Sequence, residues 1–309
     1  MARPGPGQRS RRRTIGGLLA SGDAGPRRLR YGSLRDLAIG STLVLADGTI
    51  AHAGSHVINN VAGYDLTKLF HGSLGSLGLI AEVIVRLHPI PPASATVLAA
   101  ATAAQATVAT EGLTSCGVEP TAVEWLTSTG DRQAGLLLVR VDGSPAGVAT
   151  AQQRLATLLA GLGLTPECVP TEDAAASWQQ AVAGTHDPDT GTVLRAGTLP
   201  SRLPQVEQAL TRLTEQHGVS RTLVSSTALG LHTATLTGPP AAQAAVATGW
   251  RAAVGALGGV MALRERPAAV DAELDALGPP PAAIAVLRAL KTQLDPYNRC
   301  APGRFRGWY

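Results

Sequence analysis

Apolar and polar residues alternate with the period of a β-strand in residues 79–87. Because successive side chains of a strand point to opposite faces, this pattern predicts one wholly apolar face. The apolar positions on that face are Leu79, Ala81, Val83, Val85 and Leu87. Glu82 and Arg86 lie on the other face with two isoleucines, and prolines at 89, 91 and 92 end the strand. Residues 37–45 and 49–53 are predicted as two more strands, since Asp47-Gly48 between them is a strong hairpin signal.

From residue 93 onwards, helix-like and strand-like patterns alternate in an alanine-rich sequence. The clearest helix is predicted at 203–217, where apolar residues recur at spacings of three and four. The other predicted helices are 103–115, 146–162, 174–182, 241–257 and 281–294. The predicted strands are 96–100, 118–126, 136–141, 193–199, 223–225, 229–236 and 260–264. This alternation predicts an α+β domain in two layers, and the periodicity leaves its topology open.

Composition limits the class of protein. The chain has 309 residues, of which 45% are hydrophobic and 16% charged, so we expect a soluble globular protein large enough for two domains. A run of eighteen apolar residues is absent, which predicts no transmembrane helix. Residues 1–13 are basic and polar with no apolar core after them; we expect them to be disordered and not a secretory signal.

Charge and cysteine content exclude several function classes. The formal charge is +4, and the only lysines are Lys68 and Lys291, so nearly all positive charge is arginine. The one tight basic cluster lies at residues 11–13 without aromatic neighbours, which does not indicate a nucleic-acid partner. The three cysteines are far apart and form no CxxC pair. This predicts a reducing, cytoplasmic location and neither a zinc site nor a disulfide scaffold.

Two glycine-rich stretches are candidates for binding chemistry. Gly72, Gly75 and Gly78 recur every third residue between a short helical pattern at 66–71 and the strand at 79–87. Glycine permits positive φ, and backbone N–H groups exposed in this way can hold an anion or a cofactor. A second stretch, 14–22, reads TIGGLLASG and predicts either a mobile loop or a cofactor-facing turn. Asp65 is placed to cap the short helix.

The string NVAGYDLTKLF at 60–70, followed by GSLGSLGLI at 72–80, closely resembles a segment of FAD-linked oxidases of the vanillyl-alcohol-oxidase type, which have a PCMH-type FAD-binding domain. Within that superfamily it most resembles the FAD-binding E subunits of bacterial glycolate oxidases. TIGG at 14–17, GPRR at 25–28 and YGSLRD at 31–36 resemble a second family stretch. The C-terminal LDP and APGR resemble the family's F-D-P and N-P-G-R, with Ala301 in place of the usual asparagine.

The resemblance implies a set of FAD neighbours and a domain order. The implied cofactor-binding residues are Thr14, Ile15, Gly16, Gly17, Ser21, Gly22, Ser33, Gly63, Gly72, Gly75, Gly78 and Ile80. Residues 14–92 would be part of the FAD-binding domain and 93–280 an α+β, ferredoxin-like cap. Residues 281–309 would be a helix and loop that return to the FAD domain. About a hundred family residues have no counterpart before residue 14, so we expect either an N-terminally truncated chain or the need for a partner subunit.

The resemblance also implies an activity. A protein of this family oxidises a 2-hydroxy acid, with the flavin accepting a hydride and partner subunits of an oxidase complex passing electrons on. The alternative is a non-catalytic assembly subunit, or a fragment that no longer binds FAD. No residue is identified as the catalytic base. Candidates are Arg195 and Arg264 as substrate-binding cations and His56, His71 and His232 as bases; each histidine is more readily structural, because nothing in the sequence pairs it. The sequence predicts no metal site and contains no Ser–His–Asp, HExxH or P-loop signature.

Overall fold

The computed structural model describes residues 14–56, 64–130, 134–183 and 191–309. The disorder predicted for residues 1–13 lies outside these ranges. By internal contacts the chain forms two compact units. The first comprises the described residues of Met1–Ala24, together with Gly32–His88 and Pro281–Tyr309. The second comprises Gly25–Tyr31 and the described residues of Pro89–Pro280.

Short helices and a small sheet make up the chain as far as residue 85. The elements in order are α1 (Ile15–Ser21), α2 (Arg28–Tyr31), α3 (Leu34–Leu37), β1 (Ala38–Val44), β2 (Ile50–Gly54), α4 (Leu66–Phe70) and β3 (Leu79–Val85). The three strands form one antiparallel sheet in the order β2-β1-β3. The predicted hairpin is confirmed, and Asp65 caps α4 as predicted, its side chain accepting the Lys68 N–H.

Strand β3 departs from the predicted single apolar face. Its pairing with β1 skips Ala81, because Glu82 lies opposite Thr42 whereas Ile80 lies opposite Leu43. Such a bulge moves the following side chains to the other face. Before the bulge, Ile80 and not Leu79 faces the small core around Leu43, and Leu79, predicted to share a face with Val83, is 63% exposed.

The second unit is larger and contains most of the regular structure. Its elements after α2 are β4 (Ala93–Ala101), α5 (Ala103–Ser115), β5 (Ala122–Ser128), β6 (Gly135–Gly143), α6 (Pro145–Gly161), β7 (Glu167–Pro170), α7 (Ala175–Ala183), β8 (Thr192–Gly197), α8 (Leu203–His217), β9 (Ser220–Ser226), β10 (Leu231–Thr237), α9 (Pro240–Ala256), β11 (Val260–Glu265) and α10 (Ala268–Glu273). Helix α11 (Ile284–Leu294) follows, in the first unit. The α+β class predicted from the sequence is confirmed, and α2, α3, β7 and α10 are elements that the pattern did not predict.

The eight strands of the second unit form one sheet in the order β11-β8-β10-β9-β5-β6-β4-β7. This order contains two βαββαβ modules of the ferredoxin-like type. The first module runs from β4 to β7, and the second runs from β8 to β11. The modules join through antiparallel pairing of β5 with β9, in which Trp125 lies opposite Ser225.

Each face of this sheet packs against different helices. Helices α5, α6, α8 and α9 cover one face and form the main core, which includes Trp250 and Leu194 with no exposed surface. Helix α7 packs on the other face, where Trp178 and Ala181 meet Leu126 and Leu138. The alternation of strand side chains thus divides the apolar residues between a large and a small core.

Candidate cofactor site

The glycine-rich stretch at 14–22 is a helix, not the loop or turn expected from its sequence. Thr14 caps α1, because its Oγ1 accepts the Gly17 N–H at 3.0 Å. Gly22 ends the helix in the left-handed region at φ 68°. Gly16 lies against β3, since a Cβ at this position would be 3.2 Å from the carbonyl oxygen of Ile80. Glycine at position 16 therefore permits close approach of the helix to the strand.

The other glycine-rich stretch, residues 71–78, is a turn in which several residues have left-handed backbone conformations. Gly72 and Gly75 have φ of 75° and 78°, and a Cβ on either would have no atom within 4 Å. Gly78 differs, because a Cβ there would lie 2.8 Å from the Val44 carbonyl oxygen. The first two glycines thus present bare backbone to open space, whereas the third permits close packing.

The two stretches are joined by main-chain hydrogen bonds. The Gly72 N–H donates to the Leu19 carbonyl at 3.0 Å, and the Leu74 N–H donates to the Ala20 carbonyl at 2.8 Å. These acceptors belong to the last turn of α1, whose final carbonyls have no partner within the helix. The turn therefore caps the helix, and the backbone of residues 14–22 and 72–75 forms one continuous surface in the first unit.

The remaining predicted cofactor neighbours have local structural partners. Ser33 is 5% exposed and caps α3; its hydroxyl and its N–H both donate to the Asp36 carboxylate, at 2.9 and 2.8 Å. The backbone hydrogen bond from Ser33 is the main cause that lowers the pKa of Asp36. The Ser21 hydroxyl donates to the Leu18 carbonyl at 3.2 Å. Gly63 lies outside the described residues.

The C-terminal segment contributes a buried ion pair that sequence reasoning missed. Lys291 on α11 and Asp295 are 8% and 2% exposed, and the Lys291 Nζ lies 2.5 Å from the Asp295 Oδ2. Burial alone would raise the pKa of Asp295, but hydrogen bonds from Lys291, Cys300 N–H and Arg299 N–H outweigh it and lower the pKa to about 2. In the sequence, the only feature that distinguishes Lys291 is the rarity of lysine, since all but two of the 26 lysine and arginine residues are arginines.

Three of the five candidate catalytic residues belong to the second unit. His232 on β10 has no exposed surface, and its ring nitrogens contact Thr198 Oγ1 at 2.9 Å and Ser225 Oγ at 3.0 Å. Burial lowers the pKa of His232 to about 4, so the ring is neutral and structural. Arg195 is on β8 and Arg264 on β11, both in the second unit.

Of these candidates, His71 lies at the predicted site. It follows α4 directly, and its ring lies beside Gly22, since a Cβ on that glycine would be 3.2 Å from the His71 Cε1. His56 is an exposed residue after β2. Across the described ranges, no group of three or more His, Cys, Asp or Glu residues is arranged to hold a metal ion. Likewise, no helix within these ranges has the length and apolar character needed to cross a membrane.

Comparison with known sequences identifies relatives for part of the chain. Glycolate oxidase subunit GlcD of Bacillus subtilis is 49% identical over 86 residues, which are 28% of this chain and 18% of that protein. Glycolate oxidase subunit GlcE of Escherichia coli is 44% identical over 81 residues, 26% of this chain and 23% of that protein. Mitochondrial D-2-hydroxyglutarate dehydrogenase of Rattus norvegicus is 46% identical over 79 residues, which are 26% of this chain and 15% of that protein. The matches thus span less than a quarter of each relative, and no protein-family profile matches the chain.

Solved structures show the fold over more of the chain. Alkyldihydroxyacetonephosphate synthase matches with a TM-score of 0.64 at 17% identity, covering 93% of this chain and 58% of the synthase. A VAO-type flavoprotein of Myceliophthora thermophila matches with a TM-score of 0.58 at 15% identity, covering 93% and 59%. Glucooligosaccharide oxidase of Acremonium strictum matches at 0.61 and 14%, covering 93% and 69%. The predicted resemblance is therefore confirmed: the relatives of this chain include glycolate oxidase subunits and a 2-hydroxy-acid dehydrogenase, and its fold is the one found in VAO-type flavoproteins.

Proposed function

We propose that this chain is an FAD-binding component of an oxidoreductase that acts on a 2-hydroxy acid. Its relatives include two glycolate oxidase subunits and a D-2-hydroxyglutarate dehydrogenase. Glycolate and 2-hydroxyglutarate share a hydroxyl group on the carbon next to a carboxylate. That shared group defines the substrate class, and the particular acid is left open because fold and local identity do not select it.

The observation that carries the proposal is the joining of the two glycine-rich stretches in the first unit. Hydrogen bonds from Gly72 to Leu19 and from Leu74 to Ala20 make them one surface. On it, a Cβ at Gly75 would meet open space, and the Gly75 N–H is not one of the donors that join the two stretches. A dinucleotide cofactor needs such bare backbone, because N–H groups must approach its phosphates and ring edge without a Cβ between them.

The residues present fit the cofactor that the relatives suggest. We assign the contacts to backbone of residues 14–16 and to Gly75, with Ile80 beside Gly16, because the N–H groups of residue 17 and residues 72–74 already donate to other atoms of the chain. When bound, a flavin accepts a hydride from the substrate. The chain's own part is to orient the cofactor through backbone donors and to place His71 close to its binding surface. In this proposal the first unit is the FAD-binding domain, the second is the cap, and the compartment is the cytosol, where unpaired Cys116, Cys168 and Cys300 persist.

A matched pair of glycine variants tests the cofactor site. Gly75→Ala places a methyl group on the proposed surface, whereas Gly258→Ala makes the same change in the second unit. The two glycines have φ of 78° and 77°, and a Cβ on either meets nothing within 4 Å. Their backbone strain is therefore equal, about 1–2 kcal/mol. FAD binding is measured by quenching of flavin fluorescence. We expect Gly75→Ala to raise the Kd about tenfold or more and Gly258→Ala to leave it unchanged.

The proposal fails if the parent chain does not bind FAD, or if both variants weaken binding equally. A second candidate function, a non-catalytic assembly subunit, has one observation in its favour. Among the described strands β3 pairs only with β1, and the apolar residues Leu79 in it and Leu87 after it are 63% and 83% exposed. An exposed apolar edge of this kind can pair with a strand of another polypeptide. A chain that binds no FAD and forms a stable complex with a partner subunit would support this second function.

A further inference from the structure

Lys291 connects the C-terminal helix to the glycine-rich turn. Its ammonium group donates to the Ser76 carbonyl at 2.8 Å, to the Asp295 carboxylate at 2.5 Å and to the Cys300 carbonyl at 3.1 Å. An ammonium group has three donors, and each has an acceptor here. Ser76 lies between Gly75 and Gly78, so the lysine holds the backbone of the turn directly.

The partners of Lys291 are themselves fixed. Asp295 accepts the Arg299 N–H at 2.8 Å and the Cys300 N–H at 2.7 Å, which orders the loop after α11. Asp295 is also almost fully buried. A buried charge pair with all of its hydrogen bonds made is geometrically demanding and fixes one arrangement of the surrounding chain.

The end of the chain reaches the same residue of the turn. The Tyr309 hydroxyl lies 3.2 Å from the Ser76 Oγ, and the Tyr309 ring stacks on Phe305 with ring centroids 5.0 Å apart. Arg288 on α11 donates to the Trp308 carbonyl at 2.7 Å. Ser76 is therefore held through its carbonyl by Lys291 and through its side chain by the C-terminal residue.

The turn needs such support because one of its residues has an unfavourable backbone conformation. Positive φ is tolerated at Gly72 and Gly75, but Leu74 between them also has a positive φ, of 51°. A non-glycine residue in this region costs about 1–2 kcal/mol relative to ordinary helical backbone. Without external contacts the turn would populate other conformations, and a binding surface that is formed only part of the time binds proportionally less tightly.

We propose that Lys291 is a positioning residue that holds the 72–78 turn in its cofactor-binding conformation. This inference rests on the proposed function for the identity of the cofactor. It implies that loss of the contact between Lys291 and the 72–78 turn weakens FAD binding. An arginine would not substitute, because its planar guanidinium cannot direct three donors to acceptors around one compact point.

The second lysine of the chain provides a matched control. Lys68 lies in the same unit and also donates to main-chain carbonyls, those of Arg35 and Ala38, the latter at 2.8 Å. It supports the junction of α3 with β1 and makes none of the contacts to Ser76. Lys68→Met therefore removes two main-chain hydrogen bonds and an ion pair with Asp65 from the same unit, and none of these partners belongs to the 72–78 turn.

The test compares Lys291→Met and Lys291→Arg with Lys68→Met. Lys291→Met alone leaves the Asp295 carboxylate buried without its cation, which can prevent folding. The double variant Lys291→Met/Asp295→Asn removes both charges and keeps the chain testable. The first readout is amide hydrogen exchange of residues 72–78 without FAD, and the second is the Kd for FAD.

We expect the Lys291 variants, including the double variant, to exchange amides of the turn about tenfold faster and to bind FAD about tenfold more weakly. Lys291→Arg should restore neither the slow amide exchange of the turn nor the affinity for FAD. Lys68→Met should leave both the amide exchange of residues 72–78 and the Kd for FAD unchanged. Unchanged exchange of residues 72–78 in the folded double variant would overturn the positioning role. Faster exchange in a chain whose parent form binds no FAD would uphold the support of the turn and refute the proposed function instead.

Discussion

Ser225 and Ser226 are consecutive residues of β9 whose side chains bind titratable groups on opposite faces of the eight-stranded sheet. The Ser225 Oγ lies 3.0 Å from the His232 Nδ1, and the Ser226 hydroxyl donates to the Glu124 Oε1 at 2.6 Å. Glu124 is 2% exposed and His232 has no exposed surface. Burial raises the pKa of Glu124 to about 7, which the Ser226 hydrogen bond only partly opposes, and lowers that of His232 to about 4.

Glu124 should make the second unit less stable as pH rises. Its pKa is 4.5 when unfolded and about 7 when folded, so between these values the unfolded chain ionises first and the free energy of unfolding decreases. Glu124→Gln removes this effect. Relative to the parent, the variant should gain roughly 3 kcal/mol of unfolding free energy between pH 4.5 and 7.5. Urea denaturation followed by tryptophan fluorescence at three pH values measures the gain; parallel pH curves for variant and parent would contradict the prediction.

His232 should act in the opposite direction. Its pKa is 6.5 when unfolded and about 4 when folded, so as pH falls through this window the unfolded chain binds the proton first and stability is lost. His232→Gln should abolish that loss, roughly 3 kcal/mol by pH 4. Because the two effects oppose each other between pH 4.5 and 6.5, the parent should show a shallow pH dependence there. If the pH dependence stays equally shallow in Glu124→Gln and in His232→Gln, neither group has the effect on stability that is assigned to it.

Ala301 should be a destabilising residue at its position. Its φ is 43°, in the left-handed region where a Cβ is unfavourable and asparagine is tolerated better than alanine. Ala301→Asn also restores the residue that the family motif has there. We expect the unfolding free energy to rise by roughly 0.5–1 kcal/mol, measured by thermal or urea denaturation.

Ala282 provides the comparison for this change. It is an exposed turn residue of the same unit whose φ is not positive and which does not cap a helix, so Ala282→Asn should give no comparable gain. Equal effects at the two positions would show that backbone strain at Ala301 is not the cause.

The ends of a helix can be predicted from the sequence where capping residues and the apolar period agree with the tertiary packing. The predicted 103–115 and 203–217 coincide with α5 and α8. The glycine-rich pattern of 14–22 predicts a loop or a cofactor-facing turn, and glycines at 16 and 17 each weaken a helix by about 1 kcal/mol. Thr14 and Gly22 are good start and stop residues, and contact of Gly16 with Ile80 stabilises a helix that propensity alone disfavours.

The candidate site could be predicted from the sequence only in part. The sequence marked both glycine-rich stretches, but only the structure placed the N–H groups of Gly72 and Leu74 on carbonyls of α1. Lys291 was hidden in a helix predicted from its apolar stripe, since nothing local indicates that one polar side chain turns inward to Ser76, 215 positions away. Whether the marked residues bind FAD stays a proposal.

By itself the sequence determined many local properties of this protein: which of the clearly periodic segments become helices or strands, approximately where these begin and end, and which family the motifs resemble. Those properties depend on side-chain period, capping residues and turn residues, all of which act within a few positions. The tertiary structure decided how β5 joins β9 to unite two βαββαβ modules, where the bulge at Ala81 redirects β3, and which charges are buried. These features depend on pairing between distant strands and on desolvation, which are set only when remote segments meet.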